Sequence, residues 1–156
     1  MVTVSDYIIE FFENLGVEHV FTVSGGGSIF LCDALARAKR MRYVCCHHEQ
    51  AAGYAGEAYA RLKGLAVVLV TSGPGGTNAV SACTSAWLDS VPVVFISGQA
   101  FKDQTIWKRP GLRQMGVQEA DILRIVLYIT KYAGFMCEVP FVKEQLEKAV
   151  NLATTD

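Results

Sequence analysis

An α/β fold, a doubly wound parallel sheet with helices on both faces in a single domain, is predicted by three features of the chain. Short apolar runs that lack polar alternation (residues 19–23, 42–46, 65–71 and 91–97) are interleaved with segments of helical period, as a parallel sheet buried between helix layers requires. Two of these runs end in glycine-rich turns, at residues 24–27 and 72–78, and each turn opens a helical segment. A length of 156 residues suits one domain with a core of useful size.

Residues 3–15 read as an amphipathic helix, with Tyr7, Ile8, Phe11, Phe12 and Leu15 on one stripe, Thr3 and Asp6 forming a capping pattern and Gly16 ending it. Residues 19–23 form the first strand, and Ser28 is placed to cap a helix carrying Leu31, Ala34 and Leu35. A strand at 42–46 feeds a helix over 49–62, and a strand at 65–71 feeds the second glycine turn and a helix running through Trp87. Residues 91–97 supply a fourth buried strand. From 99 to 118 the pattern lapses into a polar, basic stretch with Pro110, Gly111 and Gly116, long enough to suggest function or mobility. A helix over 119–126, a strand over 129–136 and a last helix from Pro140 follow, with Phe141, Val142, Leu146, Ala149 and Val150 turned inward. Another strand is expected after Asp156, so the sheet is expected to lack its last strand here.

Hydrophobic residues make up 51% of the chain and charged residues 19%, an apolar balance that calls for a covering partner. A net charge of -1 and scattered Lys and Arg leave no basic footprint for nucleic acid. No apolar run reaches the roughly 18 residues of a membrane span, and the acidic N-terminus does not suit a signal peptide. A cytoplasmic location follows as the expectation. The five cysteines are odd in number and lack C-x-x-C spacing, which suits reduced core residues. Cys45 and Cys46 precede His47 and His48, but neighbouring strand residues point to opposite faces, and no metal site is expected.

The chemistry centres on Glu49, in the run HHEQAAGYAGEAYAR (47–61). A carboxyl where an apolar strand meets a helix is partly stripped of water and able to share a proton near neutral pH, although the helix dipole alone also favours an acid there. The turn SGPGGTN (72–78) is neither a P-loop, since Gly76 is followed by Thr77 and Asn78, nor a dinucleotide turn, since Asn78 stands where that pattern needs glycine. Tight strand-to-helix geometry explains the glycines but not Pro74 and Asn78. Both turns and Glu49 fall at the carboxyl ends of strands, where such sheets bind ligands.

Five motifs in order, VFTVSGGG, HHEQAAGYAGEAYAR, VTSGPGGTN, LDSVPVVFISGQ and VQEADI, resemble the pyrimidine-binding domain of thiamine diphosphate enzymes in the acetolactate synthase-like branch. The resemblance covers essentially the whole chain. It implies that Glu49 is the catalytic glutamate, whose carboxyl bonds the N1′ nitrogen of the aminopyrimidine and favours the imino tautomer that removes the thiazolium proton, creating the ylide. It implies further that Pro74 and Asn78 lie against the pyrimidine and that Val23 and Ser24 present backbone groups to the cofactor. Gly25 and Gly26 match a loop facing the substrate, and Gln118 a glutamine of the substrate cavity, a position where a helix cap or a solvated side chain is the competing reading. His48 reads as a structural histidine.

The chain departs from the pattern at Ser24, where many members have proline, and at Val117, where acetolactate synthases have phenylalanine, which enlarges that wall. The stretch GLRQMGVQEADILRIV resembles carboligase-like members at least as well. No G-D-G motif occurs, so the Mg2+ and diphosphate are expected to be held by an absent diphosphate-binding domain, normally of another subunit of a homo-oligomer. The chain is thus expected to be the pyrimidine-binding portion, residues 1–156, of a longer carboligase or decarboxylase acting on a 2-oxo acid such as pyruvate, inactive alone. Two alternatives stand beside this reading: a subunit of a two-chain 2-oxo acid decarboxylase, and a non-enzymatic doubly wound assembly module.

Overall fold

The computed structural model describes residues 2–106, 109 and 111–155. Pro110 and Asp156, named above, lie outside the described residues. Helix α1 (Val4–Asn14) begins as its sequence requires: Thr3 Oγ1 accepts from the Asp6 amide at 3.1 Å, and Asp6 Oδ2 accepts from the Thr3 amide at 3.2 Å. It ends at Asn14, two residues before Gly16, which takes the left-handed conformation. The remaining order is β1 (His19–Thr22), α2 (Ile29–Ala36), β2 (Arg42–Cys45), α3 (Glu49–Lys63), β3 (Ala66–Val70), α4 (Pro74–Asn78), α5 (Val80–Leu88), β4 (Val93–Ser97), α6 (Ile122–Val126) and α7 (Val142–Thr154).

All strand pairs are parallel and the sheet order is β2-β1-β3-β4. The chain steps from β1 outward to β2, then crosses back through α3 to place β3 on the other side of β1. That reversal makes β1 and β3 the switch point of a doubly wound sheet. Helices cover both faces. On one, Ile8, Phe12, Leu35, Val142 and Leu146 pack on Val20, Val67, Leu69, Val94 and Ile96. On the other, Ala52 of α3 and Ala79 pack on Phe21, Val68 and Val70. Burying these side chains supplies the main drive for folding, at roughly 25 cal/mol per Å² of apolar surface.

Several local expectations are corrected. Ser28 does not cap α2 with its side chain; its Oγ donates back to the Gly25 carbonyl at 3.2 Å, closing a short 3-10 turn over Gly26–Ser28. The strand β2 is exposed along its length because it is the sheet edge, where half the apolar period has nothing to pack against. The helix after the second glycine turn is broken at Ala79 into α4 and α5. Residues 129–136, expected to be a strand, form none and pair with no strand; with β4 they line a cavity of about 590 Å³. Pro140 lies in a 3-10 turn before α7, and Phe141 faces outward at 53% exposure. Of the cysteines only Cys83 is buried, while Cys45 is exposed, as its edge strand dictates.

Candidate functional site

Glu49 is the first residue of α3, 9% exposed, with its helix packed over β1 and β3 at the switch point. The local sequence places it there: His48 takes an extended conformation and its Nδ1 accepts from the Gln50 amide at 3.2 Å, capping the helix that Glu49 opens. A buried carboxylate is costly unless hydrogen-bonded. Asn78 meets that need, its Nδ2 donating to Glu49 Oε2 at 3.0 Å.

The other oxygen, Oε1, accepts no hydrogen bond from the described residues. Beside it lies Gly75, where a Cβ would stand 3.4 Å from Oε1 and 2.6 Å from Thr71 Cγ2. A side chain at this position would clash with Thr71 and press on Oε1. One oxygen held and one free, next to a glycine floor, is a donor set that fits a ring nitrogen carrying or sharing a proton.

The ends of β1, β3 and β4 meet around Thr71, a residue whose role the sequence did not announce. Its Oγ1 accepts from the Gly27 amide at 3.1 Å, and its carbonyl accepts from Ser97 Oγ at 3.2 Å. Gly25 approaches so closely that a Cβ there would lie 2.6 Å from Thr71. A hydroxyl at the very end of an all-apolar run was the available signal, since a strand interior would not tolerate it unpaired. Val23 is half-buried and Ser24 and Gly26 are exposed on the turn leaving β1, at the same edge of the sheet as Glu49, though no hydrogen bond joins them to it. Pro74 is exposed at the start of α4, with its missing amide at a position where no helical bond is lost.

Gln118 is brought to this region through its backbone. It adopts φ 52°, and a Cβ on Gly73 would sit 1.9 Å from its carbonyl oxygen. Gly73 has φ 53° and ψ -114°, reachable only without a side chain, so the turn that starts α4 and the loop that carries Gln118 interlock. Val117 is 83% exposed. The 590 Å³ cavity includes neither Glu49 nor Asn78 in its lining; it follows β4, α7 and residues 129–135. Burial pushes the Cys46 thiol up, with Cys45 adding to the effect, so the Cys46 thiol stays protonated at neutral pH. Among the described residues no group of three His, Cys, Asp or Glu side chains is arranged to hold a metal, and no helix is long and apolar enough to cross a membrane.

A family model described as the N-terminal TPP binding domain of thiamine pyrophosphate enzymes matches residues 2–125. The chain is 38% identical over 152 residues to the chloroplastic acetolactate synthase of Arabidopsis thaliana, covering 97% of this chain and 22% of that protein. It is 40% identical over 132 residues to the acetolactate synthase of Mycobacterium avium, covering 84% of this chain and 20% of that protein. The acetolactate synthase large subunit of Buchnera aphidicola is 34% identical over 152 residues, with 97% of this chain and 25% of that protein covered. The chain thus spans about a fifth to a quarter of the length of the curated relatives it matches.

Proposed function

Because the chain belongs to the thiamine pyrophosphate enzymes, as their N-terminal cofactor-binding domain, we propose that it supplies the pyrimidine half of a thiamine diphosphate site in an acetolactate synthase-like carboligase or decarboxylase acting on a 2-oxo acid such as pyruvate. The observation that carries this reading is Glu49: a buried carboxyl with Oε2 held by Asn78 and Oε1, beside Gly75, accepting no hydrogen bond from the described residues. Bound thiamine diphosphate would contribute a nucleophilic carbon that adds to the carbonyl of the 2-oxo acid.

This chain's residues do the rest. Glu49 would hold the aminopyrimidine through Oε1 and give or take a proton at that oxygen, with Asn78 keeping its carboxyl from rotating away. Pro74 and the backbone of Val23 and Ser24 would border the ring, and Gly25, Gly26 and Gln118 would face the substrate side. The Mg2+ and diphosphate are held by a separate domain, provided by another subunit of a homo-oligomer, so the present chain is inactive alone. The lengths of the relatives support that division. A cytoplasmic site of action is part of the reading, supported by five cysteines that form no disulfide.

The test is Glu49→Gln in the full-length enzyme. Exchange of the cofactor's C2 proton, followed by NMR, is expected to slow by about 10²-fold or more, in the range of lost acid–base catalysis. Exchange at the unaltered rate would refute the role.

A further inference from the structure

Gln118 is one of two non-glycine residues with positive φ, the other being Ser90 in the turn after α5, among the described residues. A left-handed glutamine persists only where its surroundings over-determine it, and such outliers cluster where a site needs a group held in one place. What holds it here is the pair of residues on either side of the loop. The Glu119 carboxylate gathers two amides, Oε1 accepting from Ile106, 13 residues earlier, at 2.6 Å and Oε2 from the nearby Gly116 at 3.4 Å. Gln99, just past β4, donates from Nε2 to the Ala120 carbonyl at 3.2 Å and accepts from the Ala100 amide at 2.8 Å through Oε1. Gly116 is buried against Gln104 and Ala100, and Thr105 is 2% exposed with its hydroxyl on the Lys102 carbonyl. The loop is therefore folded about Glu119 and anchored to the sheet by Gln99.

The same loop locks onto the catalytic side. The Gln118 carbonyl fills the space a side chain at Gly73 would need, and Ile122 of α6 lies against Gly76, where a Cβ would be 3.3 Å from its Cγ1. Both contacts are made to the turn and helix that carry Asn78, and Asn78 holds Glu49.

We propose that Glu119, assisted by Gln99, is a positioning residue: its carboxylate fixes the left-handed conformation of Gln118 over Gly73 and so sets what Gln118 presents to the 2-oxo acid. The proposal rests on the reading of Gln118 as a substrate-facing residue given above. A carboxylate is required because both of its oxygens accept; an amide at this position would turn a donor toward the Ile106 or Gly116 N–H.

The experiment uses the full-length enzyme with pyruvate. Glu119→Gln is expected to raise KM for pyruvate about ten-fold, with C2 proton exchange of the cofactor within two-fold of the parent, and to speed hydrogen exchange at the Ile106 and Gly116 amides. Glu119→Asp should recover part of the KM. Gln118→Ala should raise KM similarly, and the double variant should be no worse than Gln118→Ala alone, because one residue acts through the other. Additive effects in the double variant, or faster amide exchange with KM unchanged, would overturn the assignment. If Glu119→Gln does not fold, Gln99→Leu, which removes only the Ala120 bond and the Ala100 acceptor, is expected to move KM in the same direction, and an unchanged KM there counts against the proposal. Cofactor exchange that is indifferent to Glu49→Gln would instead sink the cofactor reading, while the coupling of positions 118 and 119 would still be read from the double variant.

Discussion

At the residue scale, the Glu49 carboxyl has one hydrogen-bond donor among the described residues, Asn78. Asn78→Ala removes the donor to Glu49 Oε2, and a hydrogen bond to a charged group contributes about 1.5–3 kcal/mol net. The full-length enzyme carrying it is expected to show C2 proton exchange slowed by roughly 10- to 100-fold, read by the same NMR measurement. Cys83 behaves oppositely, as an inert core thiol. Burial pushes it up to about 11 from 9.0, so the folded state binds its proton more tightly than the unfolded chain. Its stabilisation is fully present below pH 9.0 and is lost as pH rises through about 11. Urea titrations from pH 8 to 11 should therefore show a fall on the order of 2 kcal/mol that Cys83→Ala abolishes. Glu49 was legible in the sequence because an acid at the mouth of a small-residue helix is conspicuous. Its partner Asn78 was legible only through the resemblance, since 29 residues separate the two and no local pattern links them.

At the element scale, the helices obeyed their local signals and the exceptions have tertiary causes. The capping box at Thr3 and Asp6 and the glycine stop after α1 are read from neighbours within a turn, and they appear as expected. The predicted strand at 129–136 needed a hydrogen-bonded neighbour, which periodicity cannot supply. Ser28 had the right residue type for a cap but spent its hydroxyl on Gly25. One contact joins elements across the fold: Glu13, near the end of α1, accepts from the Arg40 amide at 2.7 Å and from the Met41 amide at 3.0 Å, just before β2. The Arg40 amide, above all, holds its carboxyl below the ordinary value of 4.5. The stability this provides is present above pH 4.5 and is lost as pH falls through the depressed folded value. Glu13→Gln is expected to lower the melting temperature at pH 7 and to flatten its decline on acidification between pH 5 and 3, as followed by circular dichroism.

At the scale of the whole molecule, large apolar side chains remain exposed on α3 and α5. Leu62 is 86% exposed and Leu88 74%, with Tyr54 and Trp87 also exposed on the same two helices. A surface of this kind normally marks an interface. With the site reading above, Leu62→Asp combined with Leu88→Asp in the full-length enzyme is expected to shift sedimentation toward a smaller assembly and to reduce turnover together with it. Unchanged sedimentation would exclude this face as the subunit contact.

The doubly wound class, the position of each strand in β1 to β4, the glycine turns and the placement of Glu49 at a strand's carboxyl end were determined by the sequence alone. These follow from hydrophobic period, caps and chain stiffness, which are local. What the tertiary structure decided is non-local: the order β2-β1-β3-β4 that exposes β2, the use of Thr71 as a post between two turns, and the pairing of Asn78 with Glu49. It also decided that Gln118 is held in a left-handed conformation over Gly73, with the Glu119 carboxylate gathering amides from across its own loop. Each of these depends on which residues packing brings within about 3 Å of one another, and hydrogen-bond geometry at that range is set by the assembled sheet and its helices rather than by neighbours along the chain.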